Sequence, residues 1–306
     1  MSSTPKHILL LGAGELGTVF LSALSSLPTS SHTLTLAVRS STKYTHLRDT
    51  YPSLILLPLD LSSPSPVLAE TFSHYDIIIS ATGFGQTPDT LLKLVHEAIS
   101  AGTLRKKGRL WFFTWQWGVD YDVTGDGQGL MPLFGAQKKV RDILRAQDVI
   151  DWTVVSTGIF MSFLFEEFWG IVDRRNNKTV TVRALQDWEH GVTVTDVKDI
   201  GRILGKIIAG HTLARNKVVY VAGETLTYGE LADIVEKVTG KEVEREAWGV
   251  DFLAEQVSKN PEDGIRKYRL VFARDGVWWN KAGTVNAQLG MDMMSVEEYA
   301  RKLFKV

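Results

Sequence analysis

The sequence predicts an α/β protein: a doubly wound parallel sheet followed by a smaller, mixed C-terminal region. Three observations predict it. Short apolar runs alternate with helical segments over the first half of the chain, and the first of these runs breaks into glycines spaced G-x-G-x-x-G. The 306 residues, 44% hydrophobic and 23% charged, also suffice for one large domain with a smaller companion.

The first strand is read at residues 7–11, and the helix after the glycines carries Leu16, Val19, Phe20, Ala23, Leu24 and Leu27 on one face. Further strands follow at 33–38 (TLTLAV), 54–57, 76–80 (DIIIS) and 109–113 (RLWFF), most of them separated by helical segments. A helix at 134–146 leads to a sixth strand at 152–156 (WTVVS), and 217–221 (KVVYV) supplies a seventh, returning strand. Apolar strands joined through helices form a parallel sheet covered on both faces, and right-handed crossovers bring the strand C-termini to one edge, where ligands bind. Residues 1–158, with the return near 217–221, are therefore expected to form the sheet domain. Residues 159–306 then form a capping α/β region that begins with the aromatic stretch FMSFLFEEFW.

Composition narrows the function. Lys and Arg number 34 against 35 Asp and Glu, and no basic block stands out, so nucleic acid is not an expected ligand. Cysteine is absent, which removes disulfides, thiolate nucleophiles and cysteine-ligated metals and fits a reducing compartment. The N-terminus MSSTPK is polar, and the apolar segment after it meets glycine too soon for a signal or a membrane span. A cytoplasmic protein with a small-molecule partner and no membrane contact is expected, and a homodimer is left open. The sequon Asn177-Lys178-Thr179 carries no weight without a secretory signal. DYDVTGDGQGLM has the rhythm of a calcium loop, but its twelfth position is Met131, and the histidines are scattered, so no metal is expected.

The glycine run LLLGAGELG lies between a strand and a helix, the context its chemistry requires. Gly12 permits the tight turn, Gly14 lets backbone approach a pyrophosphate, and Gly17 lets the helix pack on the strand. Glu15 and Leu16 open the helix whose free N–H groups face the anion. At the end of the second strand, where a free ribose hydroxyl would call for an acid, stands Arg39, followed by Ser40 and Lys43. These suit a 2'-phosphate, so NADPH/NADP+ is the expected cofactor. Asp60, the small residues Ala81, Thr82 and Gly83 within SATGFGQ, and Thr114 after the fifth strand are the remaining cofactor candidates. Asp60 reads equally well as a turn or cap residue.

The glycine turn, Arg39, FFTWQWGVDYD, LFGAQKKVRDILRAQ, VVSTGIFMSFLFEEFWGIVD and VTVTDVKDIGRILGKII give the chain its resemblance to one family along nearly its whole length. It resembles the NmrA-like and isoflavone reductase-like branch of the atypical short-chain dehydrogenase/reductases. The resemblance implies a Rossmann domain, NADP(H), and a small C-terminal domain over an aromatic or polyketide-like metabolite. It also implies hydride transfer assisted by a lysine in an F-x-x-K helix motif. Here the matching segment is Phe134-Gly135-Ala136-Gln137-Lys138, so Gln137 stands in the place of the lysine and Lys138 comes one residue late.

One helical step turns a side chain by about 100°. Leu133, Ala136, Val140, Ile143 and Leu144 form the apolar face, which Gln137 borders, while Lys138 groups with Arg141, Asp142 and Arg145 on the solvated side. Gln137 and Lys138 are the catalytic candidates, with Gln137 expected to orient a ligand by donating an amide N–H rather than by delivering a proton. The Tyr-x-x-x-Lys pair is missing, since Gly125 follows Tyr121 at that spacing. Trp115, Gln116 and Trp117 follow the fifth strand, and an extended run would put both indoles on one side. With Phe160 and Met161 they are the candidate substrate wall, core packing being the alternative. The expected function is reduction of a small apolar metabolite by NADPH; the alternative is a cofactor-sensing regulator without turnover.

Overall fold

The computed structural model describes residues 5–28, 30–83, 87–176 and 178–305. In chain order the strands are β1 (Lys6–Leu11), β2 (His32–Val38), β3 (Ile55–Pro58), β4 (Ile77–Ser80), β5 (Trp111–Phe113) and β6 (Asp151–Ser156). After them come β7 (Ile159–Phe160), β8 (Val172–Asp173), β9 (Val180–Leu185), β10 (Gly191–Thr195), β11 (Lys217–Tyr220), β12 (Glu224–Thr227) and β13 (Val243–Trp248). Contacts divide the chain into two compact units. The first is Met1–Gln116, Ala136–Val155 and Ile200–Val219; the second is Trp117–Gly135, Ser156–Asp199 and Tyr220–Val306.

The first unit is built on a seven-stranded sheet in the order β11-β6-β5-β4-β1-β2-β3, and every pairing among β1 to β6 is parallel. The expected doubly wound sheet is thus present, with its returning strand on the outer edge. Ile8, Leu9, Leu10 and Leu11 of β1 are fully buried, as a central strand covered on both faces requires. Helix Glu15–Ser25 buries Leu16, Phe20 and Leu24 of the expected face, with Val19, Ala23 and Leu27 half-buried, and buries Leu21 besides. Helix Val197–Ile208 crosses this helix closely, since a Cβ at Gly201 would lie 3.0 Å from the Val19 carbonyl oxygen. The strand order reverses between β1 and β4, which opens a crevice at their C-terminal ends.

The expected strand at 109–113 is shorter, Trp111–Phe113; Arg109 precedes it and its side chain pairs with Asp151 at 3.2 Å. The helix expected at 134–146 begins at Pro132, where the fixed φ of proline suits a first turn.

The second unit holds two three-stranded sheets, β12-β10-β7 and β13-β9-β8, each combining one parallel and one antiparallel pairing. Its core is aromatic: Tyr268 stacks on Phe272 at 4.9 Å, and Trp169 meets both rings edge-on. Phe165 stacks on Tyr299 at 5.5 Å. Helix Tyr228–Thr239 is closed at its start by a reciprocal capping box between Thr227 and Glu230 and at its end by Gly240. Among the described residues no helix is long and apolar enough to cross a membrane.

Candidate functional site

The glycine turn sits in the crevice where the strand order reverses. Gly12 has φ +97°, and a Cβ there would lie 2.8 Å from the carbonyl oxygen of Ala81 on the neighbouring strand end. A side chain at Gly17 would come within 2.2 Å of the Gly12 carbonyl oxygen, so these two glycines let turn, helix and β4 close together. Gly14 differs: nothing lies within 4 Å of where its Cβ would be, and its backbone is free to meet a ligand.

A cleft of about 910 Å³ opens there, wholly within the first unit, and Gly12, Gly14, Arg39, Ser40, Lys43, Asp60, Ala81 and Thr82 line it. Glu15, Leu16, Gly17, Gly83 and Thr114 do not line it. Glu15 is exposed, Leu16 and Gly17 pack beneath the turn, and Thr114 is buried. The Phe84–Gln86 part of the SATGFGQ segment lies outside the described residues, as does Asn177 of the sequon. Arg39 and Lys43 make no ion pair among the described residues, so the cleft keeps two cations for an anionic ligand.

Asp60 serves the turn and the cleft together. Its Oδ1 accepts the Ser62 N–H at 2.9 Å and the Ser62 hydroxyl at 2.8 Å. These bonds hold the carboxyl below its usual range, with smaller help from the charges of Arg39 and Lys93. Tyr44, Ser62 and Lys93 line the cleft without having been expected from the sequence. Lys93 donates to the carbonyls of Leu61 and Ser63, at 3.2 and 2.5 Å, and so ties down the loop after β3. No local signal marks it, because its partners lie about thirty residues away on another element.

After β5 the chain turns at once: the Gln116 N–H donates to the Thr114 carbonyl at 2.9 Å. The segment is therefore not extended, and the expected alignment of the Trp115 and Trp117 rings loses its basis, because a bond spanning two residues bends the backbone before period two can act. Both indoles are buried, Trp115 in the first unit and Trp117 in the second. In the second unit Phe160 is half-buried, edge-on to Phe163 at 6.1 Å, and Met161 is a fully buried member of the core.

Helix Pro132–Arg145 separates its two candidates. Gln137 is 1% exposed, and its Nε2 donates to the Trp115 carbonyl at 2.8 Å. Lys138 reaches the surface and pairs with Asp142, one turn on, at 2.9 Å. Arg141 departs from the expected solvated group: it is fully buried, and its Nε donates to Gln116 Oε1 at 2.8 Å. The Gln116 side chain also donates to the Gln137 carbonyl at 2.7 Å. An amide contributed from twenty-five residues away is one of the polar partners of this buried guanidinium. Among the described residues no group of three or more histidines and acids could hold a metal ion.

Strand order and glycine turn together define a Rossmann-type α/β protein with an anion-ready cleft at its switch point. The model of the NmrA-like family matches residues 4–300. An NmrA-like family domain-containing oxidoreductase of Gibberella moniliformis is 36% identical over 308 residues, 96% of this chain and 97% of the relative. The chain belongs to the NmrA-like family. Its fold is also that of an isoflavone reductase crystal structure, with a TM-score of 0.78, 20% identity, and coverage of 98% of this chain and 100% of that one. A leucoanthocyanidin reductase–NADPH complex from Vitis vinifera matches with a TM-score of 0.73 at 16% identity, covering 98% and 100% of the two chains.

Proposed function

We propose that the chain is an NADPH-dependent oxidoreductase that reduces a small, largely apolar, aromatic or polyketide-like metabolite. The observation that carries this reading is the cleft at the strand switch point, which joins the open space beside Gly14 to two cations, Arg39 and Lys43, that make no ion pair among the described residues. The residues fit the cofactor: Gly12 and Gly14 lie where a pyrophosphate needs bare backbone, and Arg39 with Lys43 suits a 2'-phosphate. Bound there, NADPH supplies a hydride. The Gibberella relative is named an oxidoreductase, and the grapevine neighbour is a complex with NADPH, in keeping with this chemistry.

The chain's own residues restrict how a proton can reach the product once hydride has been delivered. Gln137 cannot release a proton at neutral pH, and Lys138 is held at the surface by Asp142. An acceptor whose reduced form takes its proton from water or from within itself suits this arrangement, such as an activated carbonyl, imine or alkene. Buried Gln137 also favours a second reading, a cofactor-sensing regulator that binds NADP(H) and turns nothing over. Titration of NADPH and NADH into the protein, followed by single-turnover oxidation of bound NADPH with aromatic carbonyls and enones, tests both. Tight NADPH binding with turnover supports the enzyme, binding without turnover the sensor, and equal affinity for the two cofactors removes the 2'-phosphate contact.

A further inference from the structure

The side-chain amide of Gln137 has a fixed orientation and a free end. Its Nε2 lies 2.8 Å from the Trp115 carbonyl oxygen, so a flipped amide would bring two oxygens to that distance, which rules the flip out. Its main-chain carbonyl accepts from Gln116 Nε2 at 2.7 Å, while Gln116 Oε1 accepts from buried Arg141 at 2.8 Å. Two glutamines and an arginine thus clamp helix Pro132–Arg145 to the turn after β5. The group this clamp leaves over is Gln137 Oε1, a buried acceptor without a hydrogen-bond partner.

Native proteins pair nearly all their buried acceptors, and each exception calls for an explanation, a bound water, local strain or a functional partner. Among the described residues three other buried side-chain atoms lack partners, on Trp169, Thr179 and Tyr228, and all belong to the second unit. Gln137 belongs to the unit with the cleft and adjoins the turn at the end of β5, on the edge where parallel sheets bind ligands.

We infer that Gln137 Oε1 is the docking point for a hydrogen-bond donor, a hydroxyl or N–H group, of the bound dinucleotide or its co-ligand. This reverses the polarity expected from sequence, in which Gln137 donates. It rests on the reading that NADP(H) occupies the first unit. A lysine at this position presents only donors and favours an oxygen acceptor on the ligand; a clamped glutamine selects the opposite partner. The atom is closed to water, so a ligand reaches it by displacing part of the surrounding shell. A ligand offering only a carbonyl or ether oxygen would meet repulsion there, and the chain would discriminate a phenol from its methyl ether.

The test uses the full chain, NADP+ and two probes, p-hydroxybenzaldehyde and p-methoxybenzaldehyde, by calorimetric titration of wild type and Gln137→Met. If the donor is on the dinucleotide, NADP+ binds the variant about tenfold more weakly; the acetylpyridine analogue of NADP+, which lacks the amide N–H, loses less or nothing where the donor is the carboxamide and as much where it is a ribose hydroxyl. If it is on the co-ligand, NADP+ affinity is kept, and a preference for the phenol of about tenfold in wild type falls to near one in the variant. Unchanged NADP+ affinity together with an unchanged phenol-to-ether ratio overturns the inference, as does a water on Oε1 in crystals of both the free and the NADP+-bound protein. Should Gln137→Met fail to fold, crystals of wild type with NADP+ and p-hydroxybenzaldehyde decide: a ligand hydroxyl or N–H within hydrogen-bond distance of Oε1 supports the inference, and none there overturns it. Absence of any NADP+ binding to wild type is a different result and overturns the cofactor reading itself.

Discussion

The α-carbon of Gly17 stands so close to the carbonyl oxygen of Gly12 that a Cβ built on residue 17 would lie 2.2 Å from it. The oxygen is main chain and cannot swing aside, so Gly17→Ala must push helix Glu15–Ser25 off β1. A loss of more than about 3 kcal/mol of stability is expected, beyond the usual range for overpacking. Gly14→Ala meets open space at a φ of −75° and should fold normally while weakening NADPH binding roughly tenfold or more. Urea unfolding with NADPH titration separates the two, and a stable, binding-competent Gly17→Ala protein would contradict the packing described for this turn.

Arg39→Ala should cost NADPH about 1.5–3 kcal/mol, roughly ten- to a hundredfold in affinity, because a charge-assisted contact to the 2'-phosphate disappears. NADH lacks that phosphate and should change little. Tryptophan fluorescence reads both titrations, and equal losses would take Arg39 out of the cofactor contact.

Two cations three residues apart on one helix should respond oppositely to removal. Lys138→Ala gives up one exposed i,i+4 pair and should lose no more than about 0.5 kcal/mol. Arg141→Met strands the oxygen of Gln116 in a buried setting and should lose about 2–4 kcal/mol. Chemical denaturation of both variants provides the comparison. A larger loss from Lys138→Ala than from Arg141→Met would reverse the burial assigned to this helix.

Acid stability should carry the mark of Asp173. Its carboxylate accepts from Arg175 and from Arg183, and these bonds hold its pKa well below the ordinary carboxylate value despite the opposing effect of burial. A carboxyl depressed in the folded state contributes stability above its unfolded pKa of about 3.9 and loses that contribution as pH falls through the folded value. Asp173→Asn should therefore be less stable than wild type by roughly 1–2 kcal/mol at pH 7, with the gap narrowing only below about pH 4. A gap constant from pH 7 to pH 2.5 in thermal melts would mean that the loss is not ionic.

Much of the fold was legible because each signal was local. Ile8 to Leu11 form an apolar run that only a covered strand satisfies, and Gly12, Gly14 and Gly17 mark the turn by their spacing. The candidate cleft was legible in part: Arg39 and Lys43, one strand-end away from a recognisable motif, line it, whereas Glu15, Leu16, Gly17, Gly83 and Thr114 do not. What escaped is non-local. Lys93 and Arg141 look like surface cations on amphipathic helices, and only the loop at 61–63 and the turn at Gln116, each far off in sequence, convert the first into a half-buried tie and the second into a buried one. The bend at Thr114–Gln116 escaped because nothing in TWQW forbids an extended run. The polarity of Gln137 depends on which of its two amide atoms the fold consumes, and composition holds no record of that.

Strand β11 closes the outer edge of the large sheet, with the Asn216 N–H bonded to the Trp152 carbonyl at 2.6 Å and the Val221 N–H to the Ser156 carbonyl at 2.8 Å. Its residues leave the ribosome well after those of β6, and the stretch from 156 to 199 belongs to the other unit. During synthesis β6 must therefore wait as an open edge, its main-chain donors and acceptors unclaimed. A fragment cut at 158 would keep that edge permanently bare and should stick to itself. Expression trials seeking a minimal cofactor-binding piece would do better to splice residues 200–221 back onto it than to trim the chain at a boundary drawn from its first half.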